Sequence, residues 1–269
     1  MVKVLVVGAA GRMGKTILSC LNDTSGVEIG GGTEAIGSPT VGKDIGEVAG
    51  IGAKRIVISD HLEKVFLSCD VAIDFSAPAS TMESIRLAAK LGKAMVVGTT
   101  GFASAQTDEI RALCGKTRCV MAPNMSIGVN VLFKVVHDMA RILGDAYDVE
   151  IVEAHHKFKK DAPSGTAVRI SEVIADALSR DLGKVAVYGR KGMSEGRQPK
   201  EIGIHTLRAG DIVGDHCVLF GGMGETLEIS HRAQSRETFA RGAIRAAQWV
   251  VNQPPGLYDM QDVLGLRGK

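Results

Sequence analysis

Over the first 126 residues, apolar positions come in short β-branched runs separated by amphipathic stretches. Val2–Val7 is apolar everywhere except Lys3, the pattern of a strand buried on both faces. A helical pattern follows over 13–21, then a short strand over 27–29. The same apolar theme returns at 71–75, 94–97 and 119–122, with helical stretches at about 80–91 and 104–114 between these strands. Ser80-Thr-Met-Glu83 has the spacing of a capping box for the first of those helices. Strands alternating with helices predict a doubly wound parallel sheet, hence an α/β fold.

The rhythm changes after residue 126. A long helical pattern over 127–143 leads to a strand at 149–154 and a helix at about 166–179. A loop rich in glycine and charge occupies 189–200. Three strand-like runs then follow without helices between them, at about 202–208, 215–220 and 225–232. This pattern predicts a second, α+β domain over 127–235 with a mixed, mostly antiparallel sheet. The helix expected at 236–251 places Phe239, Ala243, Ala246, Ala247 and Val250 on one face. It is expected to return to the first domain, which then comprises 1–126 completed by about 236–269.

Bulk properties narrow the function class. With 269 residues the chain can bury two cores, and 45% apolar with 23% charged residues is ordinary for a globular protein. A net charge of +2 gives no basic excess for nucleic acid. The five cysteines are odd in number and form no Cys-x-x-Cys, which argues against a disulfide framework or a zinc site. No signal-peptide pattern opens the chain and no run of about 18 apolar residues occurs, so a cytoplasmic protein without a membrane span is expected.

Gly8-Ala-Ala-Gly11-Arg-Met-Gly14 lies where the first strand turns into the first helix. Glycines there permit a tight turn and the approach of a pyrophosphate to backbone N–H groups at a helix N-terminus. Ala9, Gly11 and Gly14 fall in the usual dinucleotide register, with Gly8 an added glycine. Glu34 follows the second strand, 23 residues after Gly11, where a carboxylate accepts from ribose hydroxyls and repels a 2′-phosphate. Gly98-Thr-Thr-Gly-Phe102 and Ala122-Pro-Asn-Met-Ser126 close two further strands at their carboxyl ends. NADH is therefore expected to serve at least as well as NADPH.

Residues 150–167 concentrate proton donors and cations. His155 and His156 are adjacent, so on a strand they point to opposite sides and take different roles. Their spacing is wrong for a zinc pair. A general acid beside a substrate-orienting donor fits better. Lys159 is a candidate proton donor or carboxylate ligand, while Lys157 and Lys160 read as solvated charges. Asp161 is placed to pair with a lysine. Ser164 suits an N-cap, and Gly165 and Thr166 open a helix that can receive a carboxylate. The Tyr-x-x-x-Lys of short-chain dehydrogenases is absent. Gly192-Met-Ser-Glu-Gly196 spells a hydrolase elbow without the helix that should follow, and Gly14-Lys15-Thr16 misses the Walker spacing by one residue.

Together these residues resemble the dihydrodipicolinate reductases of lysine and diaminopimelate biosynthesis. The family signature Glu-Ile/Val-x-Glu-x-His-x-x-x-Lys-x-Asp-x-Pro-Ser-Gly-Thr-Ala is met from Glu150 to Ala167. Gly8–Gly14, Asp74-Phe75, Gly98–Phe102, Asn124, Gly128-Val-Asn130, Arg208–Gly214 and the Leu-Tyr-Asp-Met at 257–260 match collinearly. The resemblance implies a homotetramer with a Rossmann-like N-terminal domain, acting on a small dicarboxylate. It implies His155 and Lys159 as the proton-handling pair, and His156, Ser164, Gly165, Thr166 and Thr100 as substrate contacts. It assigns Gly8, Ala9, Ala10, Gly11, Arg12, Met13, Glu34, Gly98, Thr99, Thr100, Ala122, Pro123, Asn124 and Met125 to NADH or NADPH, with no metal. Two positions depart from the pattern. Ala35 stands where many relatives carry Arg, and Met125 where many carry Phe or Tyr. Other readings are a semialdehyde or homoserine dehydrogenase, or a dinucleotide-sensing regulator without turnover.

Overall fold

A computed structural model describes residues 1–193 and 195–267. Ser194 of the Gly-x-Ser-x-Gly match lies outside the described residues. The chain divides into two compact units, residues 1–127 with 236–269, and residues 128–235.

The first unit is built on a six-stranded parallel sheet. Its strands are β1 (Val2–Val7), β2 (Val27–Thr33), β3 (Val71–Asp74), β4 (Ala94–Val97), β5 (Arg118–Met121) and β11 (Gly256–Tyr258), in the order β11-β5-β4-β3-β1-β2. Helices α1 (Arg12–Asn22), α2 (Ile45–Ala49), α3 (Leu62–Leu67), α4 (Pro78–Leu91) and α5 (Ser104–Leu113) join the strands. Val4, Val6, Ile73, Val96 and Val120 are fully buried on one face of the sheet, and Leu5, Ala72, Met95 and Cys119 on the other. Each of the Val, Ile, Leu and Met side chains among them contributes about 1.5–3 kcal/mol by leaving water. Chain order reverses between β1 and β3, so the carboxyl ends of β1, β3, β4 and β5 are where an open α/β sheet receives ligands.

Ser80 does not cap α4. That helix starts at Pro78, whose missing N–H costs nothing at the first helical position, after an extended Ala77. The helix α9 (Glu237–Val250) belongs to the first unit, as its apolar face requires. Ala240, Ala243, Ala246, Ala247 and Val250 are fully buried, Ala240 taking the place expected of the half-buried Phe239. Gly242 lies so close to the Met125 carbonyl that a Cβ there would stand 1.8 Å from the oxygen. The short α10 (Met260–Val263) follows β11 and is capped by the Asp259 side chain.

The second unit holds a five-stranded mixed sheet, most of whose paired positions are antiparallel. It contains α6 (Ile127–Leu143, whose first residue falls in the other unit), β6 (Asp148–His155), α7 (Gly165–Ala177), α8 (Leu182–Val185), β7 (Ala186–Tyr188), β8 (Ile202–Arg208), β9 (Gly214–Gly222) and β10 (Glu225–Ala233). The order is β10-β9-β6-β8-β7. The run of strands without helices is therefore not a simple meander. β8 lies parallel to β6 on one side, and β9 antiparallel to it on the other.

Alternation along these strands sorts two faces. Val149, Ile151, Ile202, Ile204, Val218 and Phe220 pack beneath Leu132, Phe133 and Val136 of α6 and Ile170 and Ile174 of α7. The opposite face is polar around Glu150. There Arg190 and Arg197 both bond Glu150, and Arg197 also reaches Asp148 and the carbonyl of Val149. Burial raises the Glu150 carboxyl, but Arg190, His205 and Arg197 outweigh it and hold the group at about 2.

Candidate functional site

At the end of β1 the chain turns through Gly8, at φ +70°, where L side chains are disfavoured. The N–H groups of Gly8 and Ala9 both donate to the Thr33 carbonyl, at 2.9 and 3.1 Å, tying the loop to β2. Gly14 packs directly on this turn. A Cβ there would stand 2.1 Å from the Gly8 oxygen and 2.8 Å from the Ala9 backbone. Gly11, the N-cap of α1, carries no side chain to satisfy the helix N-terminus, which is left open to an anion. Arg12 is exposed beside it. Glu34 reaches across from β2, its Oε1 accepting from the Ala10 N–H at 2.7 Å. Gly8, Ala10, Gly11, Arg12, Met13, Gly14 and Glu34 line a cavity of about 490 Å³, with Phe75 and Ser76. A turn bounded by Gly8 and Gly11, the uncapped N-terminus of α1 and a carboxylate at its edge fit the diphosphate and ribose of a dinucleotide.

The loops after β4 and β5 wall a second cavity, also about 490 Å³, shared by Thr99, Thr100, Gly101, Ala122 and Pro123. Gly98 is required by packing, because a Cβ there would stand 2.2 Å from the Phe75 ring. Thr99 turns inward: its hydroxyl accepts from Thr81 at 2.9 Å and lies 3.4 Å from Asp74 Oδ1. Asp74 is fully buried and also accepts from the Ser76 N–H and hydroxyl. Asn124 Oδ1 accepts from the Ser126 N–H at 2.9 Å. The Met125 side chain is 1% exposed and packs in the core, and Ala9 is fully buried. What Ala9, Thr99 and Met125 offer a ligand is backbone. Thr100 and Pro123 are exposed. The third wall, Leu257, Tyr258 and Asp259 of β11 and its continuation, was not among the candidates, although it overlaps the Leu-Tyr-Asp-Met motif.

In the second unit the apolar face of the sheet becomes polar at one end. Glu153 and His155 lie two residues apart on β6, so they share that face. Register places Thr206 and Arg208 of β8 opposite them on one side, and His216 of β9 opposite Glu153 on the other. His231 of β10 stands opposite His216. Glu153 is fully buried and accepts five hydrogen bonds. Arg208 donates two, both at 2.9 Å, His155 Nδ1 one at 2.6 Å, the Ser164 N–H one at 3.0 Å and Thr206 one at 3.2 Å. Burial would raise its carboxyl, but Arg208, His155 and the Ser164 N–H hold it at about 2. Burial also lowers the His155 imidazole, against the opposing pull of Glu153. An ionised carboxylate only accepts, so neutral His155 carries its proton on Nδ1 and presents Nε2 as the exchangeable atom.

The loop that follows is held by the same carboxylate. Lys159 pairs with Asp161 at 2.8 Å, as its spacing suggested, and Arg208 donates to the Asp161 carbonyl at 2.6 Å. Ser164 caps α7 by accepting from the Ala167 N–H and lies 3.1 Å from His216 Nε2. Its side chain, 2% exposed, is thus committed to the loop and helix start. Gly165 is exposed at the first position of α7. The rings of His156 and Phe158 are tilted, 6.4 Å apart, and Lys157 lies over Phe158 at 5.1 Å. Four cysteines are buried, and burial pushes the half-buried Cys217 thiol up. No group of His, Cys, Asp and Glu suited to a metal occurs among the described residues.

His216 gives this end of the sheet an acid sensitivity. It is 4% exposed, and burial, with the nearby His155, lowers its imidazole to about 4. The unfolded chain binds this proton near the ordinary value of 6.5 while the folded chain refuses it. Stability from this group is therefore present above 6.5 and falls between 6.5 and 4. Glu150 and Glu153, depressed from 4.5 to about 2, add a second loss between those values. The His216 part is expected to reach on the order of 3 kcal/mol. Urea titrations should show His216→Gln flattening the upper window only; an unchanged slope there would contradict this assignment.

Two family models cover this chain. That described as dihydrodipicolinate reductase, N-terminus, matches residues 2–125, and that described as dihydrodipicolinate reductase, C-terminus, matches residues 128–264. The 4-hydroxy-tetrahydrodipicolinate reductase of Syntrophobacter fumaroxidans is 53% identical over 267 residues, 99% of this chain and 100% of the relative. That of Geotalea uraniireducens is 54% identical over 271 residues, with the same coverage. A dipicolinate-bound dihydrodipicolinate reductase from Paenisporosarcina sp. TG-14 superposes with a TM-score of 0.76 at 24% identity, covering 97% of this chain and 98% of the other, a likeness of fold. On two matching models and full-length relatives above half identity, the chain belongs to the dihydrodipicolinate reductase family.

Proposed function

We propose that this family member reduces 4-hydroxy-tetrahydrodipicolinate to tetrahydrodipicolinate with loss of water, in lysine and diaminopimelate biosynthesis. The first unit takes NADH or NADPH, and the second takes the dicarboxylate substrate. The observation that carries the reading is the polar end of the second sheet, in a chain that matches the family from end to end. There a buried histidine paired with a buried carboxylate, a lysine and an exposed helix start follow one another on a single segment.

Residue roles follow the chemistry of each position. Gly8, Ala10, Gly11, Arg12 and Met13 receive the diphosphate, while Gly98–Thr100 and Ala122–Met125 offer backbone to the nicotinamide end. Bound nicotinamide cofactor supplies the hydride. His155 exchanges a proton at Nε2, and Lys159 delivers one when its pairing with Asp161 loosens. His156, Gly165 and Thr166 hold substrate carboxylates by hydrogen bonding and the dipole of α7. Ser164 shapes this site by capping the helix.

The cofactor preference rests on Glu34 and Ala35. A carboxylate already beside the Ala10 N–H disfavours a 2′-phosphate, and Ala35 supplies no guanidinium to receive one. NADH is expected to be used at least as well as NADPH. The test is loss of nicotinamide absorbance with the aldol product of pyruvate and aspartate semialdehyde, with both cofactors in parallel. No substrate-dependent loss with either would reject the reaction. A strong NADPH preference would reject only the cofactor assignment.

We also propose a homotetramer in the cytoplasm. The sheet face opposite α6 and α7 carries half-buried Val152 and Leu219 and an exposed Leu207, which supports association between copies. Free thiols at all five cysteines suit a reducing compartment.

A further inference from the structure

We propose that Glu153 is a positioning residue for this reaction, fixing His155 in the Nδ1-protonated tautomer so that Nε2 alone exchanges the proton. The proposal rests on the reading of His155 as the proton-handling group. It adds the element that makes that group competent.

The geometry supports each step. Oε2 of Glu153 takes the His155 Nδ1 proton at 2.6 Å and one Arg208 N–H at 2.9 Å. Oε1 takes the second Arg208 N–H, the Ser164 N–H and the Thr206 hydroxyl. The carboxylate is thus held from β8 and from the start of α7, and cannot rotate away from the imidazole. The far side of the ring meets His216 edge-on, with centroids 5.2 Å apart. Opposite Nε2 stands Gly214, where a Cβ would lie 3.0 Å from that nitrogen, so glycine keeps the approach to Nε2 open. Among the described residues, the charged and titratable groups recorded around His155 are Glu153 on its own strand, Arg208 on β8, His216 on β9 and Lys159 in the following loop. Of these, Glu153 is the one anion, and it stabilises the imidazolium whenever His155 holds the second proton.

Glutamine at 153 separates charge and tautomer from shape. Three donors converge on the Oε1 position against the Arg208 N–H and His155 on Oε2, so the amide oxygen of Glu153→Gln belongs at Oε1 and its NH₂ faces His155 and displaces that Arg208 contact. Nδ1 must then accept, and the proton moves to Nε2. Loss of the orienting carboxylate in such a pair, with its tautomer inverted, lowers turnover by about 100-fold or more. Removing the anion also disfavours the imidazolium, so the His155 limb of the kcat–pH profile moves to lower pH.

The experiment combines kinetics with imidazole ¹⁵N NMR on the full chain. Wild type should show His155 protonated at Nδ1 and unprotonated at Nε2. Glu153→Gln should show the reverse, with kcat down about 100-fold, an acid-shifted limb and unchanged NADH affinity. Glu153→Asp, which keeps the charge, should recover the position of the limb. Wild-type His155 protonated at Nε2 would overturn the proposal without any variant, which covers the case of a glutamine variant that does not fold. An unaltered rate and limb in Glu153→Gln would overturn it too, provided His155→Gln is inactive. An active His155→Gln would instead remove the reading beneath it.

Discussion

Replacing His155 by glutamine is expected to lower kcat by about 1,000-fold, within the range of general acid–base catalysis, and to leave NADH affinity unchanged. The loss falls on turnover because glutamine keeps a polar side chain at the end of β6 but has no proton to exchange near neutral pH. Glu153 retains Arg208, the Ser164 N–H and Thr206, so the loop and the start of α7 keep their anchor. The dinucleotide loop lies in the other unit, and none of the bonds that hold it involves His155. The pH limb assigned to His155 should vanish from the variant. Lys159→Ala should weaken turnover as well. The double variant should fall short of the product of the two single losses, because both groups are proposed to serve one proton inventory. Steady-state kinetics with a fluorescence titration of NADH separate the cases. An equal fall in NADH affinity would make His155 structural or cofactor-facing.

The fold and the candidate site are unevenly legible in the sequence. The turn at 8–14 and the signature at 150–167 were visible because their chemistry is local in sequence. Long elements were legible as well: α6 falls where periodicity places it, and β8 over its full range. The elements missed, α2, α3, α8, β7, β11 and α10, have three to six residues, too few positions to establish a period. Partners across strands were missed for a different reason. His216 meets Ser164 through a register between β6 and β9 that no local pattern specifies. The same holds for Arg208, which reaches Glu153 only because β8 inserts parallel to β6. Glu153 itself carried a usable signal. The alternation that sends His155 and His156 to opposite sides also puts Glu153 and His155 on the same one. Ser80 has the spacing of a capping box, but Pro78 two residues before it sets the helix start.

Gly14→Ala is expected to abolish usable dinucleotide binding and to destabilise the first unit by about 3 kcal/mol, the upper range for overpacking. The added methyl would lie 2.1 Å from the Gly8 carbonyl oxygen and 2.8 Å from Cα and C of Ala9. All of these are backbone atoms, so no side chain can rotate to make room. Gly8 is already committed to φ +70°, and its N–H and that of Ala9 are bonded to Thr33. The strain must therefore move α1 away from the end of β1, and with it the N–H groups proposed to receive the diphosphate. Gly11→Ala provides the contrast. Its backbone is extended at φ −68°, and the new methyl would meet only the Gly8 oxygen at 3.2 Å. That variant should keep nearly all its stability while weakening NADH binding, because the methyl intrudes on the phosphate side of the loop. Thermal unfolding and NADH titration of the two variants test the argument together. Equal stability in both would mean that the close approach of α1 to the β1 turn does not hold the loop in shape.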